Sequence, residues 1–151
     1  MSTENVRDNL VAHLAIAHLL NQYTNCLNTG DWDVLRTLFT HDSTWRVITK
    51  GQVEYEFNGG ENIAIGLREA VTAGSAVMAQ MNHAPVIDVD GECATASSTI
   101  EELYWSTNGL RIHRFALYAD ELQRGEDDEW RFRLREFRSK GKLTFGDQLQ
   151  A

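Results

Sequence analysis

Three side chains have the type and placement for proton chemistry. His83 lies on an alternating stretch whose same-parity neighbours are Pro85, Ile87 and Val89. On a strand these would share the face that lines an interior. Imidazole takes and returns a proton near neutral pH; a core histidine satisfied by hydrogen bonds would suit the same position. Glu102 shares parity with Ala94, Ala96, Ser98, Ile100 and Tyr104, and Glu101 points the other way. A buried glutamate has a raised pKa and serves as general acid or base. The competing reading is a solvated or arginine-paired sheet residue, because parity reverses at any bulge. Tyr23 falls on a helical apolar stripe, one turn plus one residue before Asn28. Its hydroxyl can polarise a substrate oxygen, and its ring equally suits packing.

Aromatic residues are frequent in the strand-like half. Trp45, Tyr55, Tyr104 and Tyr118, with Arg138, form a candidate substrate-binding set for a flat or polycyclic ligand, although bulky aromatics also close a small core. His113 alternates with Arg111 and Phe115 as a weaker second proton carrier. The sequence has no His-x-His, HExxH or paired cysteines, and His13 and His18 do not stack on one helical face. GxGxxG and P-loop lysine motifs are missing as well. The expectation is no metal and no cofactor.

The elements that must position these groups are legible in the periodicity. From Val6 to Leu27, apolar residues at Leu10, Leu14, Ala17, Leu20, Tyr23 and Leu27 mark an amphipathic helix. Gly30 stops it, and Asp31 caps a second helix carrying Trp32, Leu35, Leu38 and Phe39. His41-Asp42 reads as a turn, Thr44 to Tyr55 as a hairpin broken at Lys50-Gly51, and Glu61 to Val71 as a third helix. Strands are expected over Asn82 to Asp90, Cys93 to Thr107, Leu110 to Arg124 and Glu129 to Phe145. The turns Asp90-Gly91, Asn108-Gly109 and Gly125 to Asp128 join them as an antiparallel meander. Helices first and a long curved sheet afterwards predict an α+β fold, in one domain covering residues 1–151.

Composition bounds the partners. Acidic residues number 22 against 14 basic, a formal charge of -8, which disfavours nucleic acid. Arg131, Arg133 and Arg135 alternate as on the solvent face of a strand. Cys26 and Cys93 make no disulfide framework, Met1 to Asp8 is polar, and no apolar run approaches about 18 residues. A soluble cytoplasmic protein is expected, with a small-molecule substrate and no membrane partner.

Three segments carry a family resemblance. They are Gln22 to Leu35, with Tyr23, the Leu27-Asn28 pair and Gly30-Asp31-Trp32; Asn82 to Ala96, with His83, Asp90-Gly91 and Ala94-Thr95-Ala96; and Tyr118-Ala119-Asp120 followed by Glu129-Trp130-Arg131. In order and spacing they resemble the SnoaL-like branch of the nuclear-transport-factor-2-like superfamily, which holds scytalone dehydratase, bile-acid dehydratase, lindane dehydrochlorinase, polyketide cyclases and, more remotely, ketosteroid isomerase. The resemblance implies a cone of helices on a strongly curved sheet around one pocket. It also implies acid/base catalysis by His83 without a cofactor, on a cyclic, steroid-like or polyketide-like substrate: a dehydratase, isomerase or cyclase. Asn28 departs from the pattern, because the dehydratases place there an aspartate that orients the histidine. An amide accepts the ring N–H but supplies no negative charge, and a comparable exchange in a serine protease lowers turnover by about four orders of magnitude. The resemblance assigns Glu102 and Tyr23 to the same pocket as assistants, with Asn28 positioning substrate oxygen. The alternatives are a non-catalytic ligand-binding or assembly protein and an epoxide hydrolase or epoxide-opening cyclase, for which no Asp-Arg-Asp arrangement is found. Dimers through the outer sheet face are implied, with Leu103, Trp105 and Phe137 on that face.

Overall fold

The computed structural model describes residues 3–73, 75–106 and 109–145. Helix α1 (Thr3–Thr29) is followed by the short helix α2 (Trp32–Leu35), a 3-10 turn (Arg36–Leu38), strands β1 (Phe39–Thr49) and β2 (Gln52–Asn58), and helix α3 (Gly60–Thr72). Strands β3 (Ser75–Asn82), β4 (Val86–Asp90), β5 (Cys93–Ser106), β6 (Arg111–Arg124) and β7 (Trp130–Phe145) complete the chain. The end of α1 follows from Gly30, whose φ of 74° lets the backbone N–H groups of Gly30 and Asp31 both return to the Cys26 carbonyl. The Asp31 side chain then accepts from the Val34 N–H and caps α2.

The strands form one seven-stranded sheet in the order β2-β1-β7-β6-β5-β3, with β4 also on β5. All pairings are antiparallel except β1 with β7, which is parallel, so the sheet is mixed rather than a pure meander. His41 and Asp42 lie within β1 instead of a turn. The strand expected over Asn82 to Asp90 is two strands. β3 pairs with the Ile100–Ser106 half of β5 and β4 with the Cys93–Ser97 half, and His83 to Pro85 step between them.

One bulge decides which residues of β7 face inward. At the break between Glu121 and Leu122, Leu122 pairs with Phe132 and Glu121 with Leu134, which leaves Arg133 extra. Parity on β7 reverses there. Trp130 and Phe132 face the core before the bulge, and Arg135 and Phe137 face it afterwards. Arg135 is therefore fully buried rather than on the solvent face, and Phe137 belongs to the interior instead of the outer surface that retains Leu103 and Trp105. On α1 the buried stripe runs through Ala12, Ile16, Leu19, Leu20, Tyr23, Cys26 and Leu27. Leu10 and Leu14 are exposed, because at about 3.6 residues per turn they fall on the opposite side of the helix from Ala12, Ile16, Leu19 and Tyr23.

Candidate active site

A cavity of about 820 Å³ lies between α3, α1 and the concave face of the sheet. Its wall on β1 and β2 is aromatic: Trp45 stacks on Phe57, with centroids 5.9 Å apart and planes 20° apart, and Tyr55 stands nearby. Gly66 on α3 permits this wall, since a Cβ there would come within 2.5 Å of the Phe57 ring. Tyr104 and Phe137 line the opposite side, and Glu54, Glu69 and Lys142 are among the polar residues of the lining.

One rung of the sheet carries the polar chemistry. Gln80 on β3 pairs with Glu102 on β5, which pairs with Arg114 on β6. Residues directly opposite on one face of a sheet have adjacent side chains. The Gln80 amide Nε2 donates to Glu102 Oε1 at 3.0 Å and to the Tyr118 hydroxyl at 3.3 Å. Thr24 donates to its Oε1 at 3.4 Å. Arg114 Nη1 stands 3.6 Å from Glu102 Oε2, and its Nη2 donates to the Tyr104 hydroxyl at 3.0 Å. Glu102 is buried, and burial raises its pKa above the ordinary carboxylate range, while the Gln80 hydrogen bond and the Arg114 charge oppose the rise.

Beside this rung two phenols meet. The Tyr23 and Tyr118 hydroxyls are 3.2 Å apart, and Trp45 Nε1 donates to Tyr23 at 3.0 Å. Tyr118 accepts from Gln80 and Tyr23 accepts from Trp45, so each phenol already holds one donated proton. One of the two hydroxyl protons closes the bond between them. The other is left for an acceptor in the cavity, whichever way the pair is oriented. Burial raises the pKa of both phenols, that of Tyr118 to about 12, so both are protonated at neutral pH.

Comparison with known proteins places this frame. The sequence profile of the SnoaL-like domain matches residues 8–136. The chain belongs to the SnoaL-like family. A structure of a candidate scytalone dehydratase from Novosphingobium aromaticivorans superposes on this SnoaL-like protein with a TM-score of 0.80 at 20% identity, covering 95% of this chain and 93% of that one. The hexachlorocyclohexane dehydrochlorinase LinA-type3 from Novosphingobium barchaimii gives 0.83 at 16% identity, covering 95% and 97%. The beta subunit of a candidate aromatic-ring-hydroxylating dioxygenase from N. aromaticivorans gives 0.73 at 18% identity, covering 88% and 92%. These likenesses establish the fold, three helices on a mixed, mostly antiparallel open sheet, as in the cone of the nuclear-transport-factor-2-like superfamily. No curated protein matches the sequence significantly.

In this SnoaL-like protein the cavity brings together Tyr23, Trp45, Tyr55, Glu102, Tyr104 and Tyr118 of the residues singled out from sequence. Three others lie elsewhere. The His83 side chain is 54% exposed and hydrogen-bonds through Nε2 to Glu101, whose other oxygen bonds His113, all on the outer sheet face. β3 ends at Asn82, so parity with Ile87 and Val89 is lost across the step and the ring does not reach the cavity. Asn28 does not face it either. Its amide brackets the Gln80 backbone, accepting from the N–H at 2.7 Å and donating to the carbonyl at 2.9 Å. Arg138 points outward to Glu136. Gln80 and Arg114 were missed because an amide and an arginine carry no motif; only the pairing of β3 with β5 reveals Gln80 beside Glu102. No group of three or more His, Cys, Asp or Glu side chains suited to a metal ion is found among the described residues. Nor is any described helix long and apolar enough to cross a membrane.

Proposed function

We propose that this protein is an acid/base enzyme that needs no cofactor and acts on a cyclic, steroid-like or polyketide-like compound bearing a carbonyl, as a dehydratase, isomerase or cyclase. The observation that carries the reading is Glu102 sharing one Gln80 nitrogen with the phenol pair inside an aromatic cavity. A carboxylate base and an O–H donor on neighbouring positions suit removal of a proton from carbon next to a carbonyl. Glu102 takes the proton, and the spare phenol proton holds the enolate oxygen. The protonated Glu102 then returns its proton, to carbon in an isomerisation or to a departing hydroxyl in a dehydration. His83, outside the cavity, has no part in this mechanism, and Asn28 acts only through the backbone it holds.

A panel of cyclic ketones and β-hydroxyketones, followed by proton exchange and product formation, tests the reading. Glu102→Gln is expected to lower kcat by about 10²–10⁴ on any substrate the wild type converts. The wild-type rate should rise with pH along a limb above the ordinary glutamate value of 4.5, because burial raises the Glu102 pKa. Undiminished turnover in the glutamine variant would end the proposal. A second reading, a ligand-binding protein without turnover, is favoured by the Asn28 amide being fully engaged with backbone; binding without conversion across the panel would select it.

A further inference from the structure

Arg135 has no place in the chemistry above, yet its surroundings are unusual. Its guanidinium carbon stands 3.6 Å from the centre of the Tyr118 ring, 4.1 Å from that of Tyr23 and 4.4 Å from that of Phe132. The side chain is fully buried, and Nε, Nη1 and Nη2 have no hydrogen-bond partner among the described residues. Asp120, also buried, is 3.7 Å away without a hydrogen bond. A buried guanidinium that makes no hydrogen bond to the described residues acts through its charge, and cation–π attraction is greatest when the cation is desolvated. Drawing π density from a phenol ring makes its O–H more acidic and a stronger donor. Both phenols that share the spare cavity proton rest on this one cation, and its charge acts to lower the pKa of each against the larger effect of burial.

We infer that Arg135 is a positioning residue that polarises the Tyr23–Tyr118 pair from behind, so that the cavity favours ring compounds whose oxygen is anionic or becomes so, such as phenolates and enolates, over their neutral ethers. The inference rests on the acid/base reading for the donor pair alone and does not depend on turnover. The side chain is suited to this work because a flat guanidinium can lie on ring faces, which a lysine ammonium cannot match. Glu102, on the other side of Gln80, opposes an anion when ionised, and Arg114 and Lys142 on the cavity wall favour one, so the contribution of Arg135 appears as a difference between variants that keep all three.

The probe is 4-nitrophenol, whose neutral and ionised forms differ in absorbance, with 4-nitroanisole as its neutral ether. Absorbance titration gives the apparent pKa of the bound phenol, and equilibrium binding gives Kd for both probes. Arg135→Met combined with Asp120→Asn removes both buried charges. It is expected to raise the proton affinity of bound nitrophenol at least about tenfold while Kd for nitroanisole changes less than about twofold. Asp120→Asn alone keeps the cation, loses the neighbouring anion, and should leave bound nitrophenol more ionised than in the wild type. That variant supplies the decisive measurement if the double variant does not fold. An unchanged bound pKa, an equal loss of both probes, or a wild type that does not prefer the phenol to the ether would overturn the inference. Retained turnover in Glu102→Gln would sink the acid/base reading and leave this titration standing.

Discussion

Replacing Asp120 by asparagine separates two opposing expectations for a buried ion pair. Breaking such a pair ordinarily costs about 3–5 kcal/mol, because a charge is left alone in the interior. Here the Asp120 carboxylate and the Arg135 guanidinium are 3.7 Å apart, and neither makes a hydrogen bond with described residues, so the return on desolvating both is poor. Burial pushes the Asp120 carboxyl from 3.8 up to about 7, against the opposing charge of Arg135. The native carboxyl thus keeps its proton over a range where the unfolded chain has lost it. Its stabilisation is full below the unfolded value and disappears as pH rises through about 7. At about 1.4 kcal/mol per tenfold, the whole change is about 4 kcal/mol, of which about 3 falls between about pH 5 and pH 8. Asparagine resembles the protonated carboxyl and does not titrate. Relative to wild type, Asp120→Asn should therefore gain about 3 kcal/mol between those two pH values, or roughly 6–12 °C in Tm for a chain of this size. Denaturation of both proteins across a pH series reads the difference directly, since their other titrating groups are shared. A variant that instead loses stability relative to wild type as pH rises would refute the reasoning and show the ion pair to be net stabilising.

Four further outcomes follow from the geometry. Tyr23→Phe and Tyr118→Phe should each leave one hydroxyl proton for the ligand, so single variants lose little turnover and the double variant loses about 10²–10³. Additive losses measured on a converted substrate would contradict the shared-proton arrangement. Tyr23→Phe also orphans the buried Trp45 N–H and should cost about 1–3 kcal/mol in denaturant unfolding. His83→Ala is expected to hold turnover within about twofold, because the ring lies outside the cavity; a large fall in kcat would return the histidine to the mechanism. Gly66→Ala forces the Phe57 ring away from α3 and should destabilise by about 1–3 kcal/mol while weakening binding of flat ligands; unchanged affinity would show that the stacked wall does not receive them.

Much of the frame was legible because local signals agreed. Gly30 and Asp31 marked the break between α1 and α2, and the Asp-Gly turn set the β4–β5 hairpin. Glu102 was found by parity because β5 runs without a bulge from Ser97 through Trp105 against β6. The same rule failed where the strand was not continuous. The step at His83 to Pro85 reset β3 against β4 and carried the histidine outside. The extra Arg133 reversed β7, turning Arg135 and Phe137 inward. A bulge is fixed by pairing with a neighbouring strand, and alternation within one strand holds no trace of it. Gln80 escaped notice for a related reason: its importance comes from the rung it shares with Glu102 and Arg114, a non-local fact. The exposed Leu10 and Leu14 show that an apolar stripe in sequence need not be the face that packs, which here passes through Ala12 and Ile16.

The bracket made by Asn28 bears on how this molecule meets others. β3 is an outermost strand of the sheet order, and at Gln80 its main-chain N–H and carbonyl turn away from β5. An unoccupied pair of that kind invites an extended segment from another chain. The amide at the end of α1 fills the place such a segment would take, matching donor to acceptor as a neighbouring strand does. At this height the sheet is sealed by its own helix, and growth of the sheet by strand addition is blocked there.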